Sequence, residues 1–199
     1  MNQGEKSSDR EVVTHLDGSV TEYCYFEPIP SVMDQLVRLL FEAHWHDITV
    51  GPCIEGAVFE VRFSEPPKLS MLDGYLTVNL GRWHFHLCIA EHKGNRSAKL
   101  RKLRQVARVA LFETRGVGCG GGRSWGVRMW NGLGEQMTTV FLPNPLLSDE
   151  LEILKEPNWD RLKLWYELRQ QFLGEEPPAN IGAAQGAWNQ SSSNPFGHD

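Results

Sequence analysis

A chain of 199 residues that is 41% hydrophobic, with seven Trp and nine Phe, holds enough apolar material for one sizeable core. Its formal net charge of −5, from 25 acidic and 20 basic residues, argues against a non-specific nucleic-acid binder, whose affinity rests on neutralising phosphates. No apolar run approaches the roughly 18–20 residues of a membrane-spanning helix. The N-terminus lacks the apolar stretch of a secretory signal, and the four dispersed cysteines (Cys24, Cys53, Cys88, Cys119) point to reduced thiols in a cytoplasmic protein.

Residues 1–10 are polar and predicted to be flexible, and residues 11–173 are predicted to form a single α+β domain. Within VVTHLDGSVTEYCYF (12–26), β-branched and aromatic residues flank Asp17-Gly18, a hairpin signal. Ser31 is placed to cap the next helix, whose stripe runs through Met33, Val37, Leu40 and His44. AVFEVRF (57–63), YLTVNL (75–80) and WHFHLCIA (83–90) read as a three-strand antiparallel meander joined by short turns.

SAKLRKLRQVARVALFET (97–114) has helical spacing, with Leu100, Leu103, Ala107 and Ala110 on its inner side. GVGCGGG (116–122) lacks the GK[ST] ending of a phosphate-binding loop and reads as a connection. A second hairpin follows, SWGVRMW with EQMTTVFL across NGLG (131–134), and Asn158 is placed to cap a last helix. The order gives an antiparallel sheet of hairpin, meander and hairpin packed by about three helices, and its β-α-β-β stretch allows ferredoxin-like units. From Gly174 to Asp199 the composition turns to Gly, Pro, Ala, Asn and Ser, the signature of a disordered tail.

WHFHLCIAEH carries the strongest chemical signal. On a strand, His84, His86 and Cys88 share one face while Trp83, Phe85, Leu87 and Ile89 share the other. Two imidazoles at i and i+2, a thiol beyond them and His92 just past the strand end make a donor set for Zn or Fe. The competing reading is a half-exposed polar face. Cys88 and His92 favour the metal, with His44, Glu91 and Cys119 as further ligands or supporting donors.

His84, His86 and the following Glu91 resemble the first metal-binding motif of cupins, which implies Fe, Mn or another divalent ion. The second cupin motif is absent. HFH on a strand is also similar to the zinc strand of α-type carbonic anhydrases, yet no histidine lies between His92 and His198. Both resemblances end within about ten residues.

A second function class rests on contact surfaces. Residues 93–108 hold seven cations, with Arg101, Arg104 and Arg108 along one helix face, a match for an acidic protein partner. No aromatics interleave within this row, which argues against single-stranded nucleic acid. Arg128 and Trp130 share a strand face suited to a planar group. Trp188 and Phe196, isolated in the polar tail, suit a peptide that docks into a partner. The sequence therefore supports a metalloprotein, enzyme or metal-handling accessory, and as an alternative a non-catalytic adaptor or assembly factor.

Overall fold

The computed structural model describes residues 9–54, 56–94, 96–116 and 122–185. The chain opens with the expected hairpin: β1 (Arg10–Thr14) and β2 (Val20–Phe26) pair with Arg10 opposite Cys24 and Thr14 opposite Val20. Asp17 makes the turn, its Oδ1 accepting from the Ser19 amide at 2.9 Å and the Ser19 hydroxyl at 2.7 Å. Helix α1 (Pro30–Arg38) starts with Pro30 in its first turn, behind Ile29. Ser31, expected as the cap, lies inside it. A π-helical turn, Leu39–Ala43, continues the helix, and Met33, Leu36, Val37, Leu40 and Phe41 are buried.

The next segment departs from the sequence reading. Strands β3 (Thr49–Gly51), β4 (Cys53–Ile54), β5 (Ala57–Val58) and β6 (Val61–Arg62) are short, and the strand expected at 57–63 is broken at Phe59-Glu60. The Phe59 amide donates to the Pro52 carbonyl at 3.0 Å, and its backbone presses on Gly51 so closely that a Cβ there would overlap the Phe59 carbonyl. Consequently β5 pairs with β4 while β6 pairs with β3. The meander is instead β7 (Lys68–Leu72), β8 (Tyr75–Asn79) and β9 (His84–Cys88).

The helix expected over 97–114 is a second correction. Helix α2 (Ala98–Arg104) ends where Gln105 turns extended, at φ −69° and ψ 150°, and strand β10 (Val106–Arg115) follows. Residues Val109 to Phe112 are all buried, so this is a strand enclosed on both faces, and its continuous apolar run mimics a helical stripe. Arg108 therefore sits on a strand, apart from Arg101 and Arg104. Strands β11 (Arg123–Asn131) and β12 (Gln136–Phe141) are neighbours, as expected. The last helix is α3 (Lys163–Leu168), entered by the 3-10 turn Trp159–Leu162 and left by the π turn Arg169–Leu173.

The class is α+β: a seven-stranded sheet ordered β1-β2-β10-β11-β12-β3-β6, the three-stranded meander and the β4-β5 pair, with β1–β2, β12–β3, β3–β6, β4–β5, β7–β8 and β8–β9 all antiparallel, and four helices among the described residues. The chain divides into two compact units. One comprises Leu111–Gly126 with the chain before Tyr25 and after Phe141. Its buried side chains include Trp125, Leu146, Leu162, Trp165 and Leu168, and Tyr23 and Phe112 form a tilted ring pair. The other, Tyr25–Ala110 with Val127–Phe141, packs Phe41 against Phe63 and Phe85 at ring-centroid distances of 6.0 and 5.8 Å.

The segment from Gly174 to Gln185, expected to be disordered, is held on the first unit. Glu175 pairs with Arg10 and Arg169, helix α4 (Ile181–Ala184) is capped by Asn180, and Gln185 bridges Arg123 and Tyr166 at 2.6 and 2.7 Å. Residues 1–8 and 186–199, read from sequence as flexible, lie outside the described residues, and so do Cys119, Trp188 and Phe196.

Candidate functional site

The register of the meander decides what the histidine strand presents. His84 lies opposite Asn79, His86 opposite Thr77 and Cys88 opposite Tyr75, so these six share one face. The reverse face carries Leu76, Val78 and Leu87 into the core of its unit. On the polar face His84 and His86 are exposed, their rings edge to face at 5.0 Å between centroids. His86 Nδ1 is 2.8 Å from the Thr77 hydroxyl, a bond that orients the ring.

Cys88 and His92 are not brought to that pair. Cys88 is buried, donates its thiol hydrogen to the Ala90 carbonyl at 3.3 Å and is hydrogen-bonded to Tyr75, which also binds Arg104. Burial pushes the thiol above its ordinary pKa, so it stays protonated and is a poor ligand or nucleophile at neutral pH. His92 Nδ1 pairs with Asp73 Oδ2 at 3.0 Å and its ring meets Tyr75 edge-on.

Asp73 also accepts from the Lys93 and Gly94 amides at 2.7 and 2.8 Å, and the Gly94 bond leads in holding its carboxyl below the usual range. This is a clamp that fastens residues 92–94 to the β7–β8 turn. The supporting donors are also engaged elsewhere: His44 with Asp47 at 3.3 Å and Glu91 with Arg101 at 3.0 Å. Among the described residues, no group of three or more His, Cys, Asp and Glu side chains is arranged to hold one metal ion.

A different surface emerges around α2. Ser97 caps the helix through the Leu100 amide, and the helix buries none of its side chains. Leu100 is 41% exposed, and the exposed Lys99 and Lys102 have no ion-pair partner among the described residues. Its C-terminal end is fixed by the β11–β12 turn: the Gly132 amide donates to the Leu103 carbonyl at 2.9 Å, and a Cβ at Gly132 would stand 2.8 Å from Leu103 Cα. Leu133 beside it is 64% exposed.

In the same unit, three neighbouring strands align Tyr25, Arg108 and Trp130. The Arg108 guanidinium stands 4.6 Å from the Tyr25 ring centre and 5.3 Å from that of Trp130, and donates to the Tyr25 hydroxyl. Arg108 is exposed and both rings are half-buried. Sequence reading singled out Arg108 and Trp130 but missed Tyr25, because cross-strand adjacency of β2, β10 and β11 cannot be read from spacing once 97–114 is taken as helix. Arg128, paired in the sequence reading with Trp130, instead donates to the Thr139 hydroxyl at 3.1 Å.

In the other unit the buried charges are paired. Burial works against the Glu113 carboxylate, but Arg115 and Arg123 overcome it and hold its pKa below the ordinary value. Arg123 also stacks 4.8 Å over Trp125. Cys24 is buried, and its pKa is likewise raised by burial.

The model of the family DUF7676, described as a family of unknown function, matches residues 10–174. The chain belongs to that family. The matched span runs from the first residue of β1 to the glycine that ends the π turn after α3. A crystal structure of a protein from Erwinia carotovora is similar at a TM-score of 0.49 and 14% identity, covering 74% of this chain and 76% of that one. No curated protein matches the chain. No helix among the described residues is long and apolar enough to cross a membrane.

Proposed function

We propose that this protein is a non-catalytic adaptor or assembly factor that docks an acidic protein segment on α2. The observation that carries the reading is that α2 fully buries no side chain while displaying Lys99, Leu100 and Lys102 to solvent. A seven-residue helix is too short to be stable by itself. One that fully buries no side chain and is nonetheless capped by Ser97 and braced by Gly132 is an element kept for its outer surface. A cytoplasmic location, where Cys24, Cys53 and Cys88 stay free thiols, belongs to the same reading.

Fluorescence anisotropy with a labelled polyglutamate peptide tests it. Binding is expected at low salt, weakening as salt screens the contact. Lys99→Glu/Lys102→Glu is expected to lower affinity about tenfold with an unchanged melting temperature. Absence of binding, or binding indifferent to the double substitution, overturns the reading.

A second reading is favoured by the paired rings of His84 and His86. Both are exposed, and the Thr77 hydroxyl orients His86 in the way a supporting oxygen orients a metal-bound imidazole. Two protein ligands would hold Zn or Fe loosely, leaving the remaining positions to water or to a second molecule, as suits a metal-handling accessory. Calorimetric titration with Zn is expected to show one weak equivalent that His84→Ala/His86→Ala removes. Equal uptake by both proteins sinks this reading and leaves the docking reading untouched.

A further inference from the structure

The docking surface proposed above does not end at α2. Its C-terminal end rests on Gly132, two residues beyond Trp130 and adjacent to the exposed Leu133. Trp130 in turn faces Arg108, and Arg108 faces Tyr25. Lysines and an exposed leucine on a short helix thus adjoin a patch of Trp, Tyr and Arg with Leu133 at its border.

Trp, Tyr and Arg are the residue types that dominate binding energy at protein interfaces, because they combine large rigid contact area with polar edges. Here they are already ordered before any partner arrives. The 6.1 Å separation of the Tyr25 and Trp130 rings, with the guanidinium beside both, fixes three side chains whose freezing would otherwise cost conformational entropy on binding. A charged plane held beside two rings attracts both an aromatic face and a negative charge.

We infer that the Tyr25–Arg108–Trp130 patch is the specificity half of the docking surface, and that it takes an aromatic side chain of an acidic partner segment. This inference rests on the docking reading: α2 supplies the charge attraction and the patch selects for the aromatic group. Polyglutamate satisfies only the first half, whereas an acidic segment interspersed with tyrosine satisfies both.

The experiment compares labelled polyglutamate with a random glutamate–tyrosine copolymer of equal length and similar net charge, by anisotropy at one salt concentration. The copolymer is expected to bind about tenfold more tightly, the effect of one good interface anchor. Trp130→Ala is expected to erase that preference while leaving polyglutamate affinity in place. Should Trp130→Ala lose its fold by circular dichroism, Arg108→Lys serves instead. It keeps the charge on an exposed position but removes the plane, and it is expected to shrink the preference by at least half.

Equal binding of the two polymers by the natural protein overturns the inference and leaves the docking reading intact, as does a preference that survives the patch substitutions. Failure of both polymers to bind removes the docking reading itself. A preference lost in the patch variants, with polyglutamate binding retained and sensitive to Lys99→Glu/Lys102→Glu, is the supporting result.

Discussion

At the residue scale, the most consequential pairing is the buried one. Glu113 and Arg123 are 12% and 15% exposed, so removing the carboxylate leaves a guanidinium with little water to replace it. Glu113→Gln is expected to cost about 3 kcal/mol near neutral pH, the scale of a broken buried pair. The pH dependence has a definite sign. A carboxyl whose folded pKa is depressed stabilises above its unfolded value, about 4.3 for Glu, and loses that contribution as pH falls through the folded pKa. Melting temperatures of the two proteins, measured from pH 7 downward, are therefore expected to keep their gap to about pH 4.3 and to converge as pH falls further, through the folded pKa. A constant gap would mean that the ionised state of Glu113 contributes nothing.

The histidine strand shows what sequence can and cannot say about single residues. Period two correctly placed His84, His86 and Cys88 on one side of β9, because pleating alone dictates it. Whether they meet is decided by what covers the strand. The Cys88 end is closed over and bonded to Tyr75, while the His84 end is open, and neither condition is written in the strand itself. His92 was diverted by Asp73, nineteen residues earlier, through a turn geometry that spacing does not reveal.

At the scale of elements, the error over 97–114 has a physical cause. Leu100, Leu103, Ala107 and Ala110 satisfy helical periodicity, but Val106, Val109, Phe112 and Thr114 favour extended backbone, and the sheet had a central position to fill. Tertiary burial outweighed a local preference that was nearly balanced. The residue that keeps α2 in place lies outside it. Gly132→Ala would put a methyl group 2.8 Å from Leu103 Cα and 2.9 Å from the Lys102 carbonyl, and no backbone can yield there without moving the helix. The substitution is expected to cost about 1–2 kcal/mol as local overpacking. It is also expected to speed hydrogen exchange of the α2 amides and to weaken polyglutamate binding, although residue 132 carries no charge. Exchange unchanged within α2 would show that the brace is dispensable.

At the scale of the whole molecule, the α+β class was legible because it depends only on helices alternating with groups of antiparallel strands, and that mixture holds although β10 and the short strands β3 to β6 were not foreseen. The meander kept its three antiparallel strands although its first strand is KLSML and not AVFEVRF, since the Asp73-Gly74 turn fixed the pairing of β7 with β8.

Charge distribution supplies what fold class leaves out. Residues 93–108 contain seven cations and no acid, in a chain whose net charge is −5, so the other 183 residues carry −12. An acidic partner is repelled by most of this surface and attracted by one segment, with the attraction confined to about 8 Å at physiological salt. Contact is then productive in few orientations, so charge alone restricts where a partner lands before any side chain is matched. Within that restricted approach Arg101 is tied to Glu91 and Arg104 to Tyr75, which leaves the outward work to Lys99 and Lys102. Arg101 and Arg104, two of the three arginines that first drew notice in the sequence, thus brace the element, and Lys99 and Lys102 present it.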